Sequence, residues 1–145
     1  MTQPPNFNGF KDAGLGNEAA KGQLDQNADV IYHAAGGAGI GVIKTVGAAK
    51  KWAIGVDSDQ YNQPAVAGVK DYILTSMEKH VDVAVYDFVE SVANGSFKGG
   101  TKQYNLSNDG IGYATSGGHV DDIKAKLDEL KADIVSGKIT VPTKA

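Results

Sequence analysis

The segment from Asp29 to Asp59, DVIYHAAGGAGIGVIKTVGAAKKWAIGVDSD, leaves this chain few folds to choose from. It reads as strand, glycine turn, helix, strand, acid. Val30, Ile31 and Tyr32 form a short apolar run that stops at a glycine cluster, and Trp52 to Val56 form a second, the pattern of buried parallel strands. The residues between them suit a crossover helix. Gly36, Gly37, Gly39 and Gly41 let the backbone leave the first strand sharply and approach a ligand, and the helix that follows would point unpaired N–H groups at the same spot. Asp57 closes the second strand. The glycine turn and this acid then lie at the carboxyl ends of adjacent parallel strands, where open α/β sheets bind ligands, and a hydroxyl-rich ligand suits the pair.

Composition narrows the partners. The 145 residues amount to about one domain, enough to bury roughly two thirds of the surface the unfolded chain exposes. A hydrophobic share of 41% and a charged share of 21% describe an ordinary globular protein rather than a disordered chain. The net charge of -3 gives no basic footprint, which argues against nucleic acid. No apolar run approaches the roughly 18 residues of a membrane span, and the start MTQPP does not read as a signal peptide. The absence of cysteine excludes disulfides, thiolate metal sites and a lipid-bearing cysteine within this stretch, but it leaves the compartment open.

Taken in order, residues 1–9 are polar and Pro-rich and read as a flexible arm. Ala13 to Gln26 is weakly helical. After Asp57, a turn-rich stretch from Ser58 to Pro64 leads to Tyr72, Ile73 and Leu74, which read as a third buried strand ended by Thr75 and Ser76. From Glu78 to Ala93, residues Val81, Ala84, Val85, Phe88, Val89 and Val92 recur at helical spacing, and Asn94-Gly95 supplies the stop. Gly99 to Thr115 suits short strands or a hairpin. Val120 to Val135 places Val120, Ile123, Leu127, Leu130 and Ile134 on one helical stripe with Asp121 and Asp122 in its first turn. The alternation predicts an α/β fold, a three-layer parallel sheet with flanking helices and small β elements near the end.

The glycine cluster invites a dinucleotide reading, because Asp57 lies about 20 residues past Gly36, as the ribose-binding acid of that fingerprint does. The glycines are spaced G-x-x-G-x-G rather than G-x-G-x-x-G, so a purely structural turn stands beside it. Asp57 could cap a local turn through Ser58 and Asp59, although an acid ending a buried strand next to a glycine turn is better placed for a ligand. Lys79 opens the long helix and should share the edge with Asp57, for an ion pair or a common ligand; an isolated lysine there would be a solvated charge. His33, His80 and His119 lack paired spacing, so no metal site is expected and satisfied or exposed histidines are the default. No nucleophile elbow occurs, and nothing in the chain demands catalysis or a cofactor.

Three ordered motifs, ADVIYHAAGGAGIGV (28–42), AIGVDSDQ (53–60) and ILTSMEKHVDVAVYD (73–87), closely resemble the basic membrane lipoprotein family. Its members are extracytoplasmic substrate-binding proteins of ABC transporters, among them purine nucleoside receptors. The resemblance covers roughly residues 9–142 and implies the carboxyl-terminal lobe of a type I periplasmic binding protein, over 10–142, followed by a tail at 143–145. Carried over by position, it implies a non-catalytic lobe that recognises a purine nucleoside or similar small solute and serves an ABC permease. In the motif GFKD, Phe10 is the candidate for stacking on the base, with Phe7 as the fallback. Asp57 matches the family's ribose ligand and Lys79 the lysine that joins it. The backbone at Gly36 and Gly37 should approach the sugar, with Asp59 a weaker neighbour. Two other readings stay open: a nucleotide- or NAD-binding enzyme domain using the turn at 36–41, and a truncated interaction module with a vestigial pocket.

The resemblance also has gaps. The amino-terminal lobe, signal and lipidation cysteine of intact, membrane-anchored relatives have no counterpart here, and neither does the apolar strand that is central in their 2-1-3-4-5 order. Unpaired strand edges would then invite a homodimer that completes each sheet, or else a rearrangement pairing the strands at 30–32 and 53–56 directly.

Overall fold

The computed structural model describes residues 7–142. Most of the expected arm, residues 1–6, and the tail at 143–145 lie outside the described residues. Contacts divide the chain into two compact units, one running to Glu78 and including Tyr113–His119, the other comprising Lys79–Gly112 and the chain from Val120 onward.

In the first unit Phe7–Phe10 forms a 3-10 turn, and Asp12 starts helix α1 (Ala13–Leu24) by accepting from the Gly14 and Leu15 N–H groups at 2.8 and 3.3 Å. Strand β1 (Val30–Tyr32) leads through a 3-10 turn at Gly36–Ala38 into helix α2 (Gly39–Ala48), and strand β2 (Trp52–Asp57) follows. The two helices approach to backbone contact. A side chain at Gly16 would run into the Ala38 carbonyl, and one at Gly41 into the Ala13 carbonyl. Ala20, Ile31, Val42, Ile43, Val46, Ala53, Val66 and Ile73 close into one core. Each fully buried aliphatic side chain there contributes about 1.5–3 kcal/mol.

The sheet has the order β1-β2-β3-β4, with β3 at Ile73–Lys79 and β4 at Ile111–Tyr113. Strand β1 pairs in parallel with β2 (Ile31 opposite Ala53), and β2 in parallel with β3 (Asp57 opposite Glu78) across a register shift at Ala53/Ile54. Beside β4, Ala114 N–H donates to the Ser76 carbonyl and the Thr75 hydroxyl to the Ala114 carbonyl. Strands β1, β2 and β3 run parallel as expected and β1 pairs directly with β2, but β4 runs the other way, its neighbours Ala114 and Gly110 bonding to Ser76 and His80 in reversed order, so the α/β sheet is mixed rather than wholly parallel.

Strand β3 starts one residue later and runs further than the apolar run Tyr72, Ile73 and Leu74 indicates, because Tyr72 ends a 3-10 turn at Pro64–Tyr72. Thr75 and Ser76 do not end it, because their neighbours Ile54 and Gly55 on β2 supply ladder partners and their hydroxyls bond to Ala114 and Gln60. Lys79 is accordingly the last strand residue rather than a helix opener, and helix α3 begins at Val81.

In the second unit, helices α3 (Val81–Ala93) and α4 (Lys124–Val135) form where their spacing predicts, α4 after a 3-10 turn at Asp121–Ile123. Val81, Val85, Phe88, Val89 and Val92 stay largely exposed, and Phe88 meets Phe97 edge to face at 5.4 Å. The segment before β4 is no hairpin: it makes a 3-10 turn at Leu106–Asn108, capped reciprocally by Asn105 and Asn108.

Candidate functional site

The carboxyl end of β2 stops in an uncommon conformation. Asp57 has φ of 73°, and the Ser58 N–H donates to the Val56 carbonyl at 2.9 Å across it. A bond from residue i+2 to residue i around a positive φ is the rare, strained form of the γ-turn. A non-glycine residue in that region costs on the order of 1–3 kcal/mol, and such strain collects at functional sites. Asp57 itself is exposed, and Glu78 lies opposite it in the ladder.

Next to β2, the end of β1 carries the glycine turn. Gly36 has φ of 53°, and a Cβ on Gly36 or Gly37 would stand 3.2 or 3.4 Å from the Phe10 carbonyl oxygen. Phe10 and the two glycines are thus brought together although about 26 residues separate them. The Phe10 ring is 51% exposed and packs tilted against Phe7 at 6.4 Å, so the two aromatic candidates form one pair. Asp59 is held by other work: its carboxylate accepts from the Tyr61 N–H, the Asn62 amide and the Ser116 hydroxyl at 3.2, 2.7 and 2.5 Å. Lys79 belongs to the second unit, exposed at the end of β3.

Beneath the γ-turn lies a buried polar group that the spacing of the histidines does not reveal. His33, Gln60 and Ser76 are 3%, 4% and 0% exposed. His33 Nε2 and Gln60 Oε1 are 2.7 Å apart, the same Oε1 accepts the Val56 N–H at 2.9 Å, and the Gln60 N–H donates to Ser76 Oγ at 3.1 Å. Burial holds the His33 imidazole below the usual histidine range, opposed by its bond to Gln60 and the negative charge of Asp57. The glycines are the signal that could have exposed this group, for Gly39 and Gly55 stand where a side chain would collide with it. Among the described residues no cluster of three or more His, Cys, Asp or Glu could hold a metal ion, and no helix is long and apolar enough to cross a membrane.

A glycine turn and a strained acid lie at neighbouring strand ends, the position at which open α/β sheets bind ligands. Comparison with known proteins agrees: the family described as ABC transporter substrate-binding protein PnrA-like matches residues 5–145, and the chain belongs to that family. It is 40% identical over 94% of its length to a CD4+ T-cell-stimulating antigen of Listeria monocytogenes, and 36% identical over 93% to the ABC transporter nucleoside-binding protein BmpA of Lactococcus lactis. In each case it spans 42% of the relative. Among solved structures, a solute-binding protein of an ABC transporter system from Aeropyrum pernix K1 superposes with a TM-score of 0.72 at 26% identity, over 93% of this chain and 46% of that one. The chain thus covers less than half the length of the relatives it matches.

Proposed function

We infer that this chain forms one face of the ligand site in an ABC-transporter substrate-binding protein, that the ligand is a purine nucleoside or a close analogue, and that the chain is non-catalytic. The observation that carries this reading is Asp57, an exposed acid held at positive φ at the end of a buried strand. A carboxylate presented from such a turn can accept two hydroxyl donors, which suits the vicinal hydroxyls of ribose. The backbone of Gly36 and Gly37 would lie against the sugar, and the exposed Phe10 would stack on the base. The name of the Lactococcus relative supports a nucleoside. Relatives in Pyrococcus named as lipoproteins support an extracytoplasmic, membrane-anchored setting for the whole protein, with an ABC permease as partner.

A phosphate-bearing cofactor fits this edge less well. The glycines are spaced G-x-x-G-x-G rather than G-x-G-x-x-G, so the turn lacks the pyrophosphate-binding pattern of a dinucleotide site.

Calorimetric titration with inosine, adenosine, guanosine, ribose and NAD tests the reading. The expected order is nucleoside above ribose above NAD, with weak affinities because a single lobe encloses only part of the ligand. Indifference to every nucleoside by a folded chain would overturn it, and tighter binding of NAD would favour the enzyme alternative.

A further inference from the structure

Burying an imidazole and a carboxamide in a small core costs free energy that two apolar side chains would not. Here the chain also gives up two side chains to admit them. A Cβ on Gly39 would overlap the His33 ring, and one on Gly55 would stand 2.6 Å from Gln60 Oε1 and 2.5 Å from Ser76 Oγ. The group touches three neighbouring strands: His33 follows β1, Val56 lies next to the end of β2 and Ser76 is in the middle of β3. Its contact with the Val56 N–H is one peptide away from Asp57.

The hydrogen bonding also specifies the protonation state. Because Gln60 Oε1 already accepts the Val56 N–H, it can meet His33 only as an acceptor, so His33 donates from Nε2–H. Nδ1 then carries a lone pair, and it is buried without a partner. The ring is a neutral donor, held in one tautomer.

We propose that His33 and Gln60 are positioning residues for Asp57: the Nε2–H of His33 fixes the Gln60 carboxamide, whose oxygen anchors the Val56 N–H and so holds the γ-turn that presents the Asp57 carboxylate. The proposal deepens the ligand-site reading above and rests on it for its affinity readout, but not for its structural one. Without the anchor, the peptide at Asp57 relaxes toward the extended backbone that a non-glycine residue prefers.

Three measurements test it. In the unmodified chain at pH 7, long-range ¹H–¹⁵N spectra should show His33 as the Nε2–H tautomer; an Nδ1–H tautomer, which leaves Nε2 without a proton to donate, would overturn the proposal outright. The three-bond HN–Hα coupling of Asp57, read with its Cα shift, should report positive φ in the unmodified chain. It should move toward extended values in His33→Leu, which removes the donor, and stay in place in His33→Gln, whose amide N–H replaces Nε2–H. Inosine affinity should fall about tenfold or more in His33→Leu and return to within about threefold in His33→Gln. Should His33→Leu fail to fold, Gln60→Met removes the same anchor from the other side. An Asp57 conformation and an affinity unchanged by loss of the anchor would show the group to be packing alone. If the unmodified chain binds no nucleoside, the functional reading fails, while the Asp57 coupling still decides the positioning role.

Discussion

In the proposed site, stability and binding would pull on Asp57 in opposite directions. Its positive φ is strained for any residue with a Cβ, and glycine would occupy the same backbone without that penalty. Asp57→Gly is therefore expected to raise stability by about 1 kcal/mol in urea unfolding while nucleoside binding in the titration is lost. A variant that loses binding and stability together would place Asp57 in the fold's support rather than at the ligand. His33 makes a second expectation, in pH. Its folded-state pKa lies below the unfolded value of about 6.5, so the unfolded chain takes up a proton first as pH falls. Stability should thus be complete above about pH 6.5 and decline below it, at up to about 1.4 kcal/mol per pH unit, until His33 itself protonates in the fold. Asp57 is the charged group that opposes the shift, so Asp57→Asn should extend the decline to lower pH. His33→Gln should flatten the slope between pH 6.5 and 5 in urea midpoints; an unchanged slope would assign it to other groups.

At the scale of elements, the glycines of α1 and α2 divide by what faces them. Gly41 meets the Ala13 carbonyl and Gly47 the Val69 side chain, whereas Gly22 on α1 has nothing within 4 Å. Gly41→Ala should cost about 1–3 kcal/mol through overpacking, and Gly22→Ala should stabilise by about 0.5–1 kcal/mol through helix propensity alone. Thermal unfolding of the two variants checks the contrast, and equal effects would mean that α1 and α2 do not touch as described. The same chemistry explains which elements were legible in the sequence. Val81 to Val92 recur at a period only a helix satisfies, so α3 forms as expected. Thr75 and Ser76 look like strand terminators by residue type, and only their partners across the ladder reveal that β3 continues through them.

For the molecule as a whole, the exposed end of the sheet is the question. Direct pairing of β1 with β2 removes the need for strand exchange, but among the described residues β1 is an outer strand, and its Val30 and Tyr32 are 45% and 52% exposed. A homodimer through this edge would bury both. It has only three residues to pair, so association should be weak and grow with concentration. Size exclusion coupled to light scattering should show a monomer at low micromolar concentration and dimer at higher loading, suppressed in Tyr32→Lys. A strictly monomeric chain at every concentration would remove the dimer.

Local chemistry suffices for much of this protein. Apolar runs at 30–32 and 52–56, joined by a glycine turn and a helix, determine two parallel strands with their carboxyl ends on one edge, and hence where Asp57 and Gly36 must lie. Two of the three family motifs, at 28–42 and 53–60, overlap that stretch and the third follows at 73–87, each a contiguous run legible without any tertiary contact. What the sequence could not determine is contact between distant residues. The Phe10 carbonyl against Gly36, the γ-turn at Asp57 and the passage from His33 through Gln60 to Ser76 each depend on strands meeting in one register. No single segment carries that information, because a hydrogen bond between residues tens of positions apart leaves no period in the chain and forms only once the core has set the distance between them.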